Sequence, residues 1–233
     1  RDLGADIVGL LRFDARMTAL EPEQFVRDVL VGRLSAREAW AGPDFRFGKG
    51  RRGDFAMLAA EGAKLGLQAC TIEPVVVDGE RVSSSRVRLQ LAAGDLDAAA
   101  HALGHRYALS GHVVYGKQLG RKLGYPTANL RFAGKRPALG GIFACFVHGV
   151  GPTPRPGVAS LGTRPTVFGT EPLLEAHLFD FDGDLYGQRI AVEFVAKLRD
   201  EEKFNDLPAL VRQMDVDARQ ARKLLRQEPG AVA

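Results

Sequence analysis

The sequence predicts an α/β segment followed by a small antiparallel β-barrel that ends in a helix. Three observations carry this. Up to residue 104, short strand-like runs alternate with helical spacings, which implies a parallel sheet of the nucleotide-binding type. From Leu109 the pattern changes to strand-like runs at 109–115, 126–132, 142–149, 157–161, 172–180 and 188–198, punctuated by Gly and Pro. After Asp206, Leu207, Leu210, Val211, Met214, Ala218, Ala221 and Leu225 fall in one stripe at helical spacing, a pattern that usually means packing. The expected domains are therefore 1–104 and 105–233, with 105–108 as a short linker.

Taken in order, residues 6–13 read as a buried strand. The chain opens at Arg1, without a Met, almost directly into that run, so an N-terminal piece is expected to be missing. Pro22 suits a first helical turn, and Phe25, Val26, Val29, Leu30 and Leu34 continue at helical spacing. Ala36 to Ala41 is a strand candidate, and Asp54 can cap a helix running to about Leu65. Leu67 to Val77 reads as a strand broken at Pro74, and Asp78-Gly79 as a turn. Ser83-Ser84-Ser85-Arg86-Val87-Arg88 looks like a capped helix start, where hydroxyls and free N–H groups could also hold an anion. A further helix covers roughly Leu96 to Leu103.

The composition is that of an ordinary globular protein: 233 residues, 45% hydrophobic and 26% charged. The formal charge of +4 comes from the half after residue 104 and suits an anionic small ligand better than nucleic acid. Two cysteines, Cys70 and Cys145, lack the spacing of a disulfide framework or a zinc site. No apolar run approaches a membrane span and no signal peptide appears, so a cytoplasmic location is expected.

The stretch richest in chemistry is 115–129, Tyr-Gly-Lys-Gln-Leu-Gly-Arg-Lys-Leu-Gly-Tyr-Pro-Thr-Ala-Asn. Gly116, Gly120 and Gly124 alternate with Lys117, Arg121 and Lys122. Glycine lets backbone approach a ligand, and successive N–H groups in a bend cradle anions, so the loop reads as a phosphate cradle. It is not a Walker A loop. Pro126 leads into extended chain, which puts Thr127 and Asn129 on one face. Their neutral oxygens can serve Mg²⁺ when the negative charge comes from a nucleotide. A polar hairpin loop is the competing reading.

In Leu173-Leu174-Glu175-Ala176-His177-Leu178-Phe179, one strand face is apolar and the other mixes Glu175 and His177 with hydrophobes. Glu175 is the candidate base for moving a hydroxyl proton, against the alternative of a half-exposed surface glutamate. His177 reads as a partly buried polar residue. Asp180-Phe181-Asp182-Gly183-Asp184 lacks the glycine and glutamate positions of a calcium loop, and Asp182-Gly183 reads as a tight hairpin turn.

Gly120 to Asn129 resembles, in register, the nucleotide loop of riboflavin kinases, Gly-Arg-x-Leu-Gly-Phe/Tyr-Pro-Thr-Ala-Asn. Gly162-Thr163-Arg164-Pro165-Thr166 and Leu185-Tyr186-Gly187 also resemble segments of that family. Asp44-Phe45-Arg46-Phe47-Gly48-Lys49-Gly50-Arg51-Arg52-Gly53-Asp54 and Val77 to Arg88 resemble the FMN adenylyltransferase module of bacterial bifunctional FAD synthetases, with Ser85 where that motif has Thr. The resemblance implies a nucleotidyltransferase (Rossmann-like) remnant over 1–104 and a six-stranded Greek-key barrel with a terminal helix over 105–233. It implies ATP:riboflavin 5′-phosphotransferase activity, with Mg²⁺ on Thr127 and Asn129 and Glu175 as base. ATP would contact Gly116, Lys117, Gly120, Lys122, Gly124, Tyr125, Pro126, Thr127, Asn129 and Tyr186, and flavin (riboflavin or FMN) Thr163, Arg164, Arg199 and Phe204. Phe45, Arg46, Ser84, Ser85, Arg86 and Arg88 would be the adenylyltransferase remnant. That module's Gly-x-Phe-Asp-Gly-x-His-x-Gly-His loop is not in the sequence, so the kinase motifs are intact and the adenylyltransferase motifs halved.

Riboflavin and ATP are thus the expected small-molecule partners, with no nucleic acid and no membrane; the oligomeric state is not legible. The alternatives are a complete bifunctional enzyme that also makes FAD, if the missing N-terminal segment exists, a flavin-binding protein without turnover, and a nucleic-acid module. The last would use charge and stacking in the 44–54 loop.

Overall fold

In the computed structural model, which describes residues 4–116, 118–131, 137–166 and 169–227 (backbone alone at 164–166 and 169–171), the chain forms two units, Arg1–Val75 and Val76–Ala233. In the first, the Asp14 carboxylate accepts from the N–H groups of Arg16 and Met17 and starts α1 (Ala15–Ala19). Pro22 opens α2 (Pro22–Gln24), which continues as a π-helix over Phe25–Arg33. β1 (Glu38–Ala41) is followed by α3 (Phe55–Lys64), capped by Asp54 through the Met57 N–H, and by β2 (Gln68–Thr71). β1 and β2 pair in parallel, as the alternation of strand and helix predicts. Val26, Ala41, Phe47, Leu58 and Leu67 form this unit's core.

Two expectations for this unit change. The predicted helix at 25–34 is wound as a π-helix, with the Leu34 N–H reaching the Val29 carbonyl five residues back. Residues 6–13 form no strand, and Ile7 and Leu10 are 86% and 94% exposed. Among the described residues β1 and β2 pair only with each other, and residues 6–13 add to neither outer edge of that sheet.

The second unit starts with the hairpin β3 (Val76–Val77) and β4 (Glu80–Arg81), turned by Asp78 and Gly79 at φ of 54° and 76°. α4 (Ser84–Ala93) and α5 (Leu96–Leu103) are capped by Ser83 and Asp95 and stopped by the left-handed Gly94 and Gly104. There follow β5 (Ala108–Val114), α6 (Leu119–Lys122), β6 (Ala128–Arg131), β7 (Gly141–His148), β8 (Arg155–Thr166), β9 (Gly169–Leu178), β10 (Arg189–Arg199) and α7 (Leu207–Leu225). The antiparallel strands close in the order β10-β5-β6-β9-β8-β7. Because β10 lies between β5 and β7, Asp182-Gly183 is not the hairpin turn expected between β9 and β10; it belongs to a longer connection between strands that are not neighbours.

Alternation sets the two faces of the wall. Phe143, Cys145, Leu161, Leu174, Ala176, Ile190, Val192 and Phe194 fill the barrel, and Val87, Leu91, Leu96 and Ala99 of α4 and α5 join that core. These helices therefore pack as part of the barrel unit, although the sequence pattern changes only after residue 104. On the outer wall, Ala144, Phe146, Phe179 and Val195 pack against Ala221 and Leu225 of α7.

A buried ion pair fixes α7. Arg199 Nε and a terminal nitrogen donate to the Asp217 carboxylate at 2.8–3.1 Å, and the Gln213 amide donates to the same group. Asp217→Ala leaves a guanidinium that is only 16% exposed without its partner, and is expected to cost about 3–5 kcal/mol in chemical denaturation, with Asp217→Asn costing less.

Candidate active site

The antiparallel register between β6 and β9 builds the site. Asn129 stands opposite Glu175 and Ala128 opposite Ala176, where the described ladder ends. Residues directly opposite share a face. Thr127, two residues before Asn129, and His177, two after Glu175, therefore project to the same side. On β8, Ser160 stands opposite Glu175 and Val158 opposite His177. This is the outer face of the wall, beneath α7. All six side chains line a cavity of about 360 Å³, closed by Leu119, Gly120, Leu123 and Tyr125 on one side and by Leu210, Met214, Asp217 and Ala218 of α7 on the other.

The glycine loop is shaped by contact with those strands. A Cβ on Gly116 would stand 2.5–2.6 Å from the Asn129 amide, and one on Gly120 would collide with the Tyr125 carbonyl. Gly124 has φ +83°. The Tyr125 N–H donates to the Gly120 carbonyl at 2.8 Å, closing the loop on itself. The Tyr125 hydroxyl donates to Asp215 on α7, and burial together with that bond pushes its pKa up to about 12. On the other side of Thr127 and Asn129 lies a smaller cleft of about 20 Å³, lined also by Gly116, Gln118, Arg121, Pro126 and Tyr186. Thr127 and Asn129 thus stand between a polar cleft in the glycine loop and a larger, more apolar chamber that contains Glu175.

His177 is held by a 2.8 Å hydrogen bond between Nδ1 and the Pro126 carbonyl, with Tyr125 and Phe179 against its ring at centroid distances of 5.1 and 5.8 Å. Burial pushes its pKa below the ordinary imidazole value, so the ring is neutral and Nδ1 carries the donated proton.

The predicted site residues fall into four groups. Gly116, Gly120, Tyr125, Pro126, Thr127, Asn129, Glu175, Tyr186 and Arg199 line the chamber, the cleft or both. Phe204 lines an adjoining cavity of about 470 Å³ that shares Ile142, Ser160, Arg199 and Leu210 with the chamber, and Arg199 lies 5.6 Å from its ring. Lys122, Gly124 and Thr163 line none of these, whereas Arg121 lines the cleft. Lys117 and the Arg164 side chain lie outside the described residues.

Of the remnant residues, Phe45 stacks on Phe47 at 5.4 Å and Arg46 pairs with Asp54 at 3.1 Å. Phe47 is 6% exposed and part of a core, so it is unavailable as a stacking platform for bases. Ser83, rather than Ser84 or Ser85, caps α4, and Arg86 pairs with Glu80.

Sequence reasoning missed Ser160, which only the β8–β9 register reveals. It missed Tyr115, which stacks on Tyr186 at 3.8 Å. It also read the α7 stripe as packing alone, whereas Leu210 and Met214 of that stripe face the chamber. The available signal was a carboxylate, Asp217, at stripe spacing between Met214 and Ala221, which the structure buries to 4% exposure.

The donor set suits a hard cation that arrives with phosphates: two neutral oxygens, Thr127 Oγ1 and Asn129 Oδ1, with glycines leaving room beside each. Among the described residues no group of three or more His, Cys, Asp or Glu could hold a metal by itself. No helix among them is long and apolar enough to cross a membrane.

Comparison with known proteins places this chain in a family. The riboflavin kinase family model matches residues 103–225, and the FAD synthetase model residues 1–86. The bifunctional riboflavin kinase/FMN adenylyltransferase of Escherichia coli (strain K12) is 42% identical over 222 residues, covering 95% of this chain and 71% of that protein. Its Pseudomonas fluorescens counterpart is 41% identical over 222 residues, with the same coverage. A solved structure from Streptococcus pneumoniae, described as a macrolide-efflux protein, superposes with a TM-score of 0.69 at 27% identity, over 93% of this chain and 68% of that one. The chain belongs to the family of bifunctional riboflavin kinase/FMN adenylyltransferases.

Proposed function

We propose that this chain transfers the γ-phosphoryl group of ATP to the ribityl 5′-hydroxyl of riboflavin, giving FMN and ADP. The observation that carries this reading is the Asn129–Glu175 register, which sets a carboxylate beside two neutral oxygen ligands on one wall. The chamber takes the flavin, and the cleft and glycine loop take the phosphates.

Glu175 accepts the 5′-hydroxyl proton as that oxygen bonds to the γ-phosphorus and the bond from phosphorus to the ADP oxygen breaks. Thr127 and Asn129 would hold Mg²⁺, which supplies neutralisation of phosphate charge when bound. Arg121 and the backbone of the glycine loop orient the triphosphate, and α7 excludes water from the chamber.

Incubating the chain with riboflavin and MgATP, and separating the flavins by chromatography, tests the reading. FMN formed in step with ADP is expected; riboflavin left unchanged at saturating MgATP contradicts it. The match of residues 1–86 to the FAD synthetase model favours adenylyl transfer to FMN as a second reading, but the sequence lacks that module's Gly-x-Phe-Asp-Gly-x-His-x-Gly-His loop, so the same chromatogram is expected to show FMN without FAD.

A further inference from the structure

Pro126 precedes the first of the two candidate ligands, and its ring fixes only φ. The torsion that aims the Pro126–Thr127 peptide, and with it the Thr127 side chain, is ψ of Pro126. Backbone pairing does not set it, because the described β6–β9 ladder stops at Ala128–Ala176. One step further, His177 would stand opposite Thr127. There the imidazole takes over from the backbone: Nδ1–H donates to the Pro126 carbonyl at 2.8 Å. The ring is itself wedged edge-on between Tyr125 and Phe179. Tyr125 is tied to Asp215 of α7, so the ring has little freedom to leave its acceptor.

We infer that His177 is a positioning residue, which locks the Pro126–Thr127 peptide so that Thr127 and Asn129 present their oxygens together to the metal of a bound nucleotide. It acts through a carbonyl and does not touch the reacting atoms. The inference rests on the proposed MgATP site but not on the identity of the phosphoryl acceptor. Partners that orient metal ligands without binding the metal typically contribute 10- to 100-fold in affinity.

The experiment is calorimetric titration of wild type, His177→Ala and His177→Asn with ADP at fixed Mg²⁺, a readout that needs no turnover. Asn places an amide N–H donor where Nδ1 sits. The expected result is Mg·ADP binding at least about 10-fold weaker in His177→Ala and largely restored in His177→Asn. Circular dichroism and thermal melts establish that each variant is folded. Wild-type-like Mg·ADP binding by His177→Ala overturns the inference and leaves the kinase reading standing. Equal weakening in both variants also overturns it, because the donated hydrogen bond would then not be what matters. If wild type itself fails to bind Mg·ADP, the inference and the proposed nucleotide site fall together.

Discussion

Glu175→Gln is expected to lower kcat for FMN formation by about 10²–10⁴-fold while Mg·ADP affinity stays near wild type. The substitution keeps the shape of the side chain and removes its ability to accept a proton. Glu175 stands opposite Asn129 on one strand and Ser160 on another, within a wall whose inner residues Leu174 and Ala176 are fully buried. The strand is therefore anchored by its apolar face, and its outer face can change without repacking the barrel. A kcat within a few-fold of wild type removes Glu175 from the proposed chemistry.

Gly116→Ala is expected to be nearly as damaging, for a steric reason. The added Cβ falls 2.5 Å from Asn129 Oδ1, so the amide or the loop must move. A displacement near 1 Å at a positioning group costs about 10²-fold in rate. Asn129→Ala should raise the Mg²⁺ concentration needed for half-maximal rate. In that background Gly116→Ala should cost little more, because the colliding side chain is gone. Such non-additivity marks residues in direct contact. If the two losses simply add, the clash is not the cause.

The barrel was legible because its signals are local. Strand runs, glycine and proline breaks and the Asp206 cap each act within a few residues, and the structure reproduces them to within a few positions. The candidate site was legible only as a string of residue types. That Thr127 and Asn129 share a face follows from strand periodicity, but that Glu175 meets them depends on a register set 46 residues away in sequence, which no local pattern encodes. The α7 contribution was hidden for the opposite reason: Leu210 and Met214 satisfy a packing stripe and line the chamber at once. Residues 6–13 misled because β-branched and apolar residues state a preference for strand without stating a partner.

The most direct test of the central claim is a crystal structure of the chain with Mg·ADP and riboflavin. A metal is expected about 2.0–2.1 Å from Thr127 Oγ1 and Asn129 Oδ1. The ribityl 5′-hydroxyl is expected within about 2.6–3.2 Å of the Glu175 carboxylate. A metal held elsewhere, or a ribityl chain pointing away from Glu175 while both ligands are bound, would contradict the claim.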